Sequence, residues 1–211
     1  MIVLADNDII LKLAQCDLLE ILPDILESSL PFFVSPTAKY QLLPKNENKA
    51  LKRCGNEESL DRLKDFLDTV EVLPDIKDSS LLFELDKTDG IDDGESFLFA
   101  ASIEVSNPLL ITGDRKALNA LSNNQSKFPS VYNALKNNVV TFESSLLIAI
   151  HKFGIAVVKQ KLLGSPKPDG MLRMALGNDA SGLEECLLSY SIEASSFLAF
   201  KQYLPIKLSE E

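Results

Sequence analysis

The sequence predicts an α/β protein with a short, mainly parallel sheet and a C-terminal helical extension. Short apolar runs alternate with segments in which apolar residues recur at helical spacing, a pattern typical of parallel sheets with covering helices. Two of these runs end close to an aspartate, at Asp6 and Asp114. The chain has 211 residues, of which 45% are hydrophobic, enough to bury one sizeable core. We therefore expect one domain with a tail.

Charge and cysteine content limit the class of protein. The formal net charge of −10 argues against a broad cationic surface for non-specific nucleic-acid binding. A local carboxylate cluster can still hold Mg²⁺, which can contact phosphate. The three cysteines, Cys16, Cys54 and Cys186, lie far apart, so neither a disulfide framework nor a zinc knuckle is predicted. With no signal-peptide pattern and no long apolar run, we expect a cytoplasmic protein without membrane association.

The first half of the chain contains three strand candidates. The apolar run Ile2–Ala5 suits a buried parallel strand with Asp6 at its carboxyl end. A helical pattern follows over residues 9–22, and Pro23 is expected to end it. The other two strand candidates are Phe32–Val34 and residues 70–73.

The segments between these strands are predicted to be helical in part. Ser35 and Pro36 favour a helix start, because serine can cap a helix and proline suits its first turn. This helix should run past Gln41. The polar residues 45–58 suggest a loop or an exposed helical edge, and residues 60–67 return to helical spacing.

The second half repeats the alternation and then becomes helical. A turn-rich loop over residues 86–94 leads into Glu95 and a helical segment, and Pro108–Thr112 is a fully apolar strand candidate. Residues 139–142 suggest a fifth strand. Residues 146–163 and 183–203 are predicted helices, separated by a turn rich in glycine and proline.

Acidic residues follow two of the predicted strands and open the helix between them. Because ligands of open α/β sheets bind outside the carboxyl ends of the strands, Asp6 and Asp114 should meet at one edge, together with Asp92, Asp93 and Glu95. Oxygen ligands suit Mg²⁺ and Mn²⁺, which can activate water and stabilise a leaving oxygen. Taken singly, Asp6 and Asp114 are better explained as helix N-caps, and it is their joint arrangement that favours a metal site.

Four segments in order resemble the successive motifs of the PIN-domain nuclease family. They are residues 2–8 (IVLADND), residues 34–42 (VSPTAKYQL), residues 93–95 (DGE) and residues 109–115 (LLITGDR). The resemblance implies a PIN-like three-layer α/β/α domain over residues 1–145. It does not cover the helical extension over residues 146–211, which is expected to pack on that domain or on a partner.

The resemblance also implies a function and a set of site residues. PIN domains gather acidic residues at one end of a parallel sheet and use Mg²⁺ or Mn²⁺ to hydrolyse RNA phosphodiester bonds. The implied catalytic residues are Asp6, Glu95 and Asp114. The implied metal ligands are these three together with Asp93. Substrate contacts are expected from Asp8, Thr112 and Arg115. RNA is then the expected substrate, and an antitoxin-like protein or a second copy of the chain is a candidate partner.

One position departs from the family pattern. The helix after the Ser-Pro turn usually supplies a glutamate where this chain has Gln41. Its amide oxygen is a weaker ligand than a carboxylate, and Asp92 or Asp93 is the alternative source of the missing charge. The second hypothesis is therefore a catalytically degenerate PIN-like interaction module.

A third hypothesis is a haloacid-dehalogenase-like phosphatase. It takes Asp6 and Asp8 as nucleophile and acid, with Thr112 and residues 177–179 as later motifs. The chain lacks the glycine expected soon after the second aspartate and has no clearly placed lysine. This hypothesis also leaves Asp93, Glu95 and Asp114 without a role.

Overall fold

The fold is an α/β arrangement built on a five-stranded sheet in which every strand is parallel to its neighbours. The computed structural model describes residues 1–28, 31–177 and 182–205. The strands are β1 (Ile2–Ala5), β2 (Phe32–Val34), β3 (Glu71–Val72), β4 (Pro108–Thr112) and β5 (Val139–Thr141). Their order across the sheet is β3-β2-β1-β4-β5. The predicted fold class, α/β with a parallel sheet, is confirmed.

Helices make up most of the remaining chain. In chain order they are α1 (Asn7–Gln15), α2 (Leu22–Ile25), α3 (Ala38–Leu42), α4 (Glu47–Cys54), α5 (Glu57–Thr69), α6 (Ser79–Asp86), α7 (Asp93–Glu104), α8 (Arg115–Asn123), α9 (Pro129–Leu135), α10 (Phe142–Phe153), α11 (Ile155–Leu163), α12 (Gly170–Leu176) and α13 (Leu183–Ser191). Two 3₁₀ turns follow, η1 (Ile192–Ala194) and η2 (Lys201–Tyr203).

The helices pack in two groups. From β1 the chain moves to β2 and β3 on one side, and from β4 it moves to β5 on the other. The right-handed crossovers usual between parallel strands would place the intervening helices on opposite faces of the sheet. In agreement, α1 packs with α3, α4, α5 and α10, whereas α7 packs with α9. This arrangement is consistent with three α/β/α layers.

Helices on both faces explain the composition of the central strands. All five residues of β4 are buried, as are Val3, Leu4 and Ala5 of β1, so neither strand alternates apolar with polar residues. The two residues of edge strand β3 are exposed. The apolar runs at both ends of the sequence thus enter one continuous core.

The segment after residue 145 contributes to that same core. Leu183, Leu187 and Phe197 are buried with the residues of the sheet, and α13 packs against α10. The N–H of Val139 donates to the carbonyl of Phe197 at 2.8 Å, and the N–H of Ala199 donates to the carbonyl of Val139 at 2.8 Å. The C-terminal segment therefore extends the sheet beside β5.

Several predicted helix boundaries were wrong. The helix expected over residues 9–22 ends at Gln15, and Pro23 lies in the first turn of α2, where a missing N–H is tolerated. The segment 146–163 divides at Gly154, whose φ of 86° is in the region that glycine adopts most readily. Residues 183–203 are helical only to Ser191 before the 3₁₀ turns.

Two further boundaries differ in smaller ways. Residues 47–54, expected as a loop or helical edge, form α4, whose first turn is capped by the Asn46 side chain accepting from the N–H of Lys49 at 3.0 Å. Phe142 begins α10 instead of ending β5. In the described part of the chain, no helix is long and apolar enough to cross a membrane.

Candidate metal centre

The candidate site lies where the strand order reverses, between β1 and β4. Asp6 follows β1 and Asp114 follows β4 after Gly113, so both sit at the carboxyl ends of neighbouring strands, the usual ligand position in such sheets. The N–H of Asp6 donates to the carbonyl of Ile111 at 3.0 Å and joins the two strand ends. An open pocket of about 780 Å³ occupies this edge. The acids that line it are Asp6, Asp8, Asp92, Asp93, Glu95 and Asp114.

Asp6 carries a carboxyl group that is almost completely buried, with 8% of the residue exposed. Burial, and secondly the charge of Asp8, raises the pKa of Asp6 to about 6. The N–H groups of Asn7, Asp8 and Gly113 offset part of this rise. Asp6 occupies the N-cap position of α1, but its side chain forms no capping hydrogen bond of normal geometry. Capping therefore does not account for this buried acid.

Thr112 connects the two strand ends. Its hydroxyl lies 3.5 Å from Oδ2 of Asp6, to which it donates, and it accepts the N–H of Asp114 at 3.0 Å. The side chain is buried at the end of β4. It thus places the loop that carries Asp114 relative to Asp6.

Glu95 enters the site from the first turn of α7. The preceding Asp92 is the N-cap, and its Oδ1 accepts the N–H groups of Gly94 at 2.8 Å and Glu95 at 3.0 Å. Glu95 itself is 6% exposed, and its Oε2 has no hydrogen-bond partner in the described part of the chain. A buried carboxylate oxygen without a partner is costly. It is compensated when a cation, a proton or a water reaches it.

Asp114 performs the capping role that its sequence position also predicts. Its Oδ1 accepts the N–H groups of Lys116 at 2.7 Å and Ala117 at 3.1 Å at the start of α8. Its Oδ2 accepts no hydrogen bond from any described residue. The charge of Asp114 contributes to raising the pKa of Asp92, after the larger effect of burial. The first turns of α7 and α8 therefore bring their acids close together.

The remaining two predicted acids point to other partners. Oδ2 of Asp8 lies 2.8 Å from Nζ of Lys12, which also lies 3.4 Å from Oδ2 of Asp169. Asp93 lines both this pocket and a neighbouring one, and its carboxyl group, hydrogen-bonded to Asp86, raises the pKa of Asp86. Asp8 and Asp93 are thus less available to the centre of the pocket than Asp6 and Glu95.

Gln41, the position at which the sequence departs from the PIN-like pattern, lies on α3 and lines the pocket. Its Oε1 accepts the side-chain N–H of Asn7 at 2.6 Å, and its backbone carbonyl accepts a hydrogen bond from the guanidinium of Arg53. The other amide atom of Asn7, Oδ1, is buried and has no partner among the described residues. The amide oxygen of Gln41 therefore already accepts a hydrogen bond from Asn7.

Arg115, predicted to contact substrate, lies on the pocket wall but is bound by the C-terminal segment. Its guanidinium nitrogens lie 3.6 Å from Glu143 and 3.6 Å from Glu193, and it covers the ring of Tyr190 at 4.4 Å. Burial raises the pKa of Glu143, whose Oε2 has no partner among the described residues.

Neither Glu143 nor Arg53 was predicted as a site residue from the amino-acid pattern. Glu143 had a weak signal, an acid following a strand in the first turn of a helix. Arg53 had none, since it reaches the pocket from the last turn of α4 only because α4 packs near α1.

The acids of the pocket are of the chemical type that binds a hard cation, but their side chains are not positioned together as a metal site. Asp6, Glu95 and Asp114 offer carboxylate oxygens of the kind that Mg²⁺ and Mn²⁺ prefer, and one oxygen of Glu95 is buried and unpaired. Among the described residues, no group of three or more Asp, Glu, His or Cys side chains lies close enough together to hold a metal ion. Side-chain movement would be needed to bring the three acids together.

Comparison with known proteins gives no relative. No protein family, no curated protein and no solved structure matched the chain.

Proposed function

We propose that this chain is a metal-dependent ribonuclease of the PIN type. The observation that carries the proposal is that the buried acids Asp6 and Glu95 line one open pocket at the carboxyl edge of a parallel sheet, with Oε2 of Glu95 unpaired among the described residues. Buried acids without partners reduce stability. Such arrangements are concentrated at functional sites.

The roles of the residues follow from their contacts. Asp6, Glu95 and Asp114 would hold Mg²⁺ or Mn²⁺, with Oδ1 of Asp114 also capping α8. The bound cation would supply Lewis acidity and lower the pKa of a water molecule. Thr112 keeps the Asp114 loop beside Asp6. Asp93 would serve as a further acid at the edge of the pocket.

The proposal is tested by titration calorimetry with Mn²⁺ and by cleavage of a single-stranded RNA. Asp6→Asn, Glu95→Gln and Asp114→Asn should each lose both Mn²⁺ binding and cleavage. Glu58→Gln, an exposed acid on α5 away from the pocket, is the matched control and should retain both. A wild-type protein that is folded yet neither binds Mn²⁺ nor cuts RNA would refute the nuclease function.

The second candidate is a PIN-like interaction module that has lost catalysis. Two observations favour it: the Gln41 amide oxygen is engaged by Asn7, and the acids are not preassembled among the described residues. An acidic surface would then serve a protein partner, for which an antitoxin-like protein and a second copy of the chain remain predictions. Absence of Mn²⁺ binding in the experiment above selects this candidate.

The phosphatase hypothesis has less support. Asp8, its proposed acid, is paired with Lys12 at 2.8 Å. Its later motif at Asn178 and Asp179 lies outside the described residues.

A further inference from the structure

The basic side chains that line the pocket differ in whether they form salt bridges with acidic residues. In the described part of the chain they are Arg53, Arg115 and Lys116. Arg115 lies 3.6 Å from each of two glutamates. Arg53 and Lys116 lie within 4.0 Å of no carboxylate among the described residues. In a pocket lined by so many acids, these two cations are therefore still available.

Arg53 is held in place without being neutralised. Its guanidinium donates to the backbone carbonyl of Gln41, and its own carbonyl accepts Nε2 of Gln15 at 3.0 Å. Both contacts position the residue through uncharged groups. The guanidinium keeps further N–H groups in the planar geometry that matches a phosphate.

Lys116 enters the pocket from a different helix. It lies in the first turn of α8 after β4, where its backbone N–H donates to Asp114, and its side chain forms no ion pair with any described residue. Arg53 lies beside Gln41, on the side of the helices that follow β2. Since β1 lies between β2 and β4 in the sheet, Arg53 and Lys116 belong to helices that follow the two strands on either side of Asp6, and both residues line its pocket.

We propose that Arg53 and Lys116 bind phosphates of a single-stranded RNA on either side of the acid cluster, so that the strand crosses the edge of the sheet from the β2 side to the β4 side. This inference rests on the proposed nuclease function. The neutral side chain of Gln41 is part of this proposal. A glutamate at this position would place a carboxylate near the guanidinium of Arg53, and that carboxylate would compete with the RNA phosphate for the guanidinium.

The test is fluorescence anisotropy with a labelled single-stranded RNA, in Ca²⁺ instead of Mn²⁺ to limit cleavage. Arg53→Gln and Lys116→Gln should each weaken RNA binding by about tenfold, as expected for a lost charge-assisted contact. Each should also reduce the salt slope of binding by about 0.7. Mn²⁺ binding measured by calorimetry should stay within twofold of wild type, because neither residue is a metal ligand.

Matched variants separate the local contact from net charge. Lys52→Gln removes the same charge from α4 outside the pocket and should weaken RNA binding by less than twofold. Arg53→Lys keeps the charge but loses the planar donor pair, so its affinity should fall between wild type and Arg53→Gln. Gln41→Glu should weaken RNA binding without weakening Mn²⁺ binding.

The outcomes distinguish this inference from the proposed function. If wild type binds Mn²⁺ and cuts RNA but Arg53→Gln and Lys116→Gln behave like Lys52→Gln, the phosphate track is overturned and the nuclease stands. If both variants lose RNA binding but wild type never cleaves, the track stands and the nuclease function fails. A wild-type protein that binds no RNA overturns both.

Discussion

At the residue scale, Asp6 is a buried acid at the end of β1, and burial makes its negative charge unfavourable. Its pKa of about 6, above the ordinary 3.8, means that the folded state binds its proton more tightly than the unfolded state does. The stabilisation of the protonated form is fully present below pH 3.8 and is lost as the pH rises through about 6. At neutral pH the ionised Asp6 therefore reduces the stability of the metal-free protein.

Asp6→Asn is accordingly expected to stabilise the metal-free protein at pH 7, because the amide needs no ionisation. The gain is at most on the order of 3 kcal/mol, from a shift of about two pKa units, and should vanish near pH 3.5. Urea denaturation across this pH range measures it. Asp65→Asn, an exposed acid on α5, should show no such trend. Equal stability of Asp6→Asn and wild type at both pH values would contradict the burial argument.

Asp114 allows capping to be separated from a charged role. Asparagine caps helices about as well as aspartate, whereas alanine loses the cap at a cost of about 1 kcal/mol. Asp114→Asn should therefore keep the free energy of unfolding nearly unchanged, and Asp114→Ala should lower it by about 1 kcal/mol. Both should abolish Mn²⁺ binding if the nuclease proposal is right. A loss of metal binding confined to the alanine variant would indicate a purely structural role.

At the element scale, Arg115 ties the start of α8 to the C-terminal helices. It contacts Glu143 of α10, Glu193 of η1 and the ring of Tyr190 in α13. The Asp114 loop is therefore braced by residues far along the chain. Burial raises the pKa of Glu143 despite this arginine, so the ionised glutamate depends on its partner.

Arg115→Ala should lower the free energy of unfolding at pH 7 by about 1–3 kcal/mol, because it leaves Glu143 buried and unpaired. Glu143→Gln alone should not destabilise the protein, since the uncharged group suits the buried site. Arg115→Ala should lower the free energy of unfolding less when it is made in the Glu143→Gln variant than when it is made in the wild type. A double-mutant cycle by chemical denaturation tests this, and strictly additive losses would show that the two residues are not coupled.

At the scale of the whole molecule, the C-terminal segment shares the hydrophobic core of the sheet. Phe197 and Leu183 are buried in the same core as the sheet, and residues 197 and 199 bond to Val139 of β5. A fragment of residues 1–145 would expose that surface. We expect the fragment to be unfolded or aggregated, as judged by circular dichroism and gel filtration. A fragment with native-like cooperative unfolding would show that the PIN-like domain predicted over residues 1–145 is independent.

The site contains two kinds of contact: helix caps between neighbouring residues, and contacts between side chains of different elements. The caps at Asp92 and Asp114 are local, because an aspartate bonds to N–H groups two or three residues ahead, and their positions can be predicted from the pattern. The approach of Arg53 to Gln41 and of Arg115 to Glu193 joins residues distant in the chain. Nothing in their immediate sequence marks these contacts.

The α/β class, the positions of β1 and β4 and the acids that lie at or near the ends of those strands could be predicted from the amino-acid pattern alone. This was possible because buried parallel strands need continuous apolar runs and because strand ends and helix caps are local features. Which acids are buried, which cations are paired and where the C-terminal segment packs became known from the folded structure. These depend on the distance between elements that are far apart in the chain, and burial and pairing, not residue type, set the charge that each group can carry.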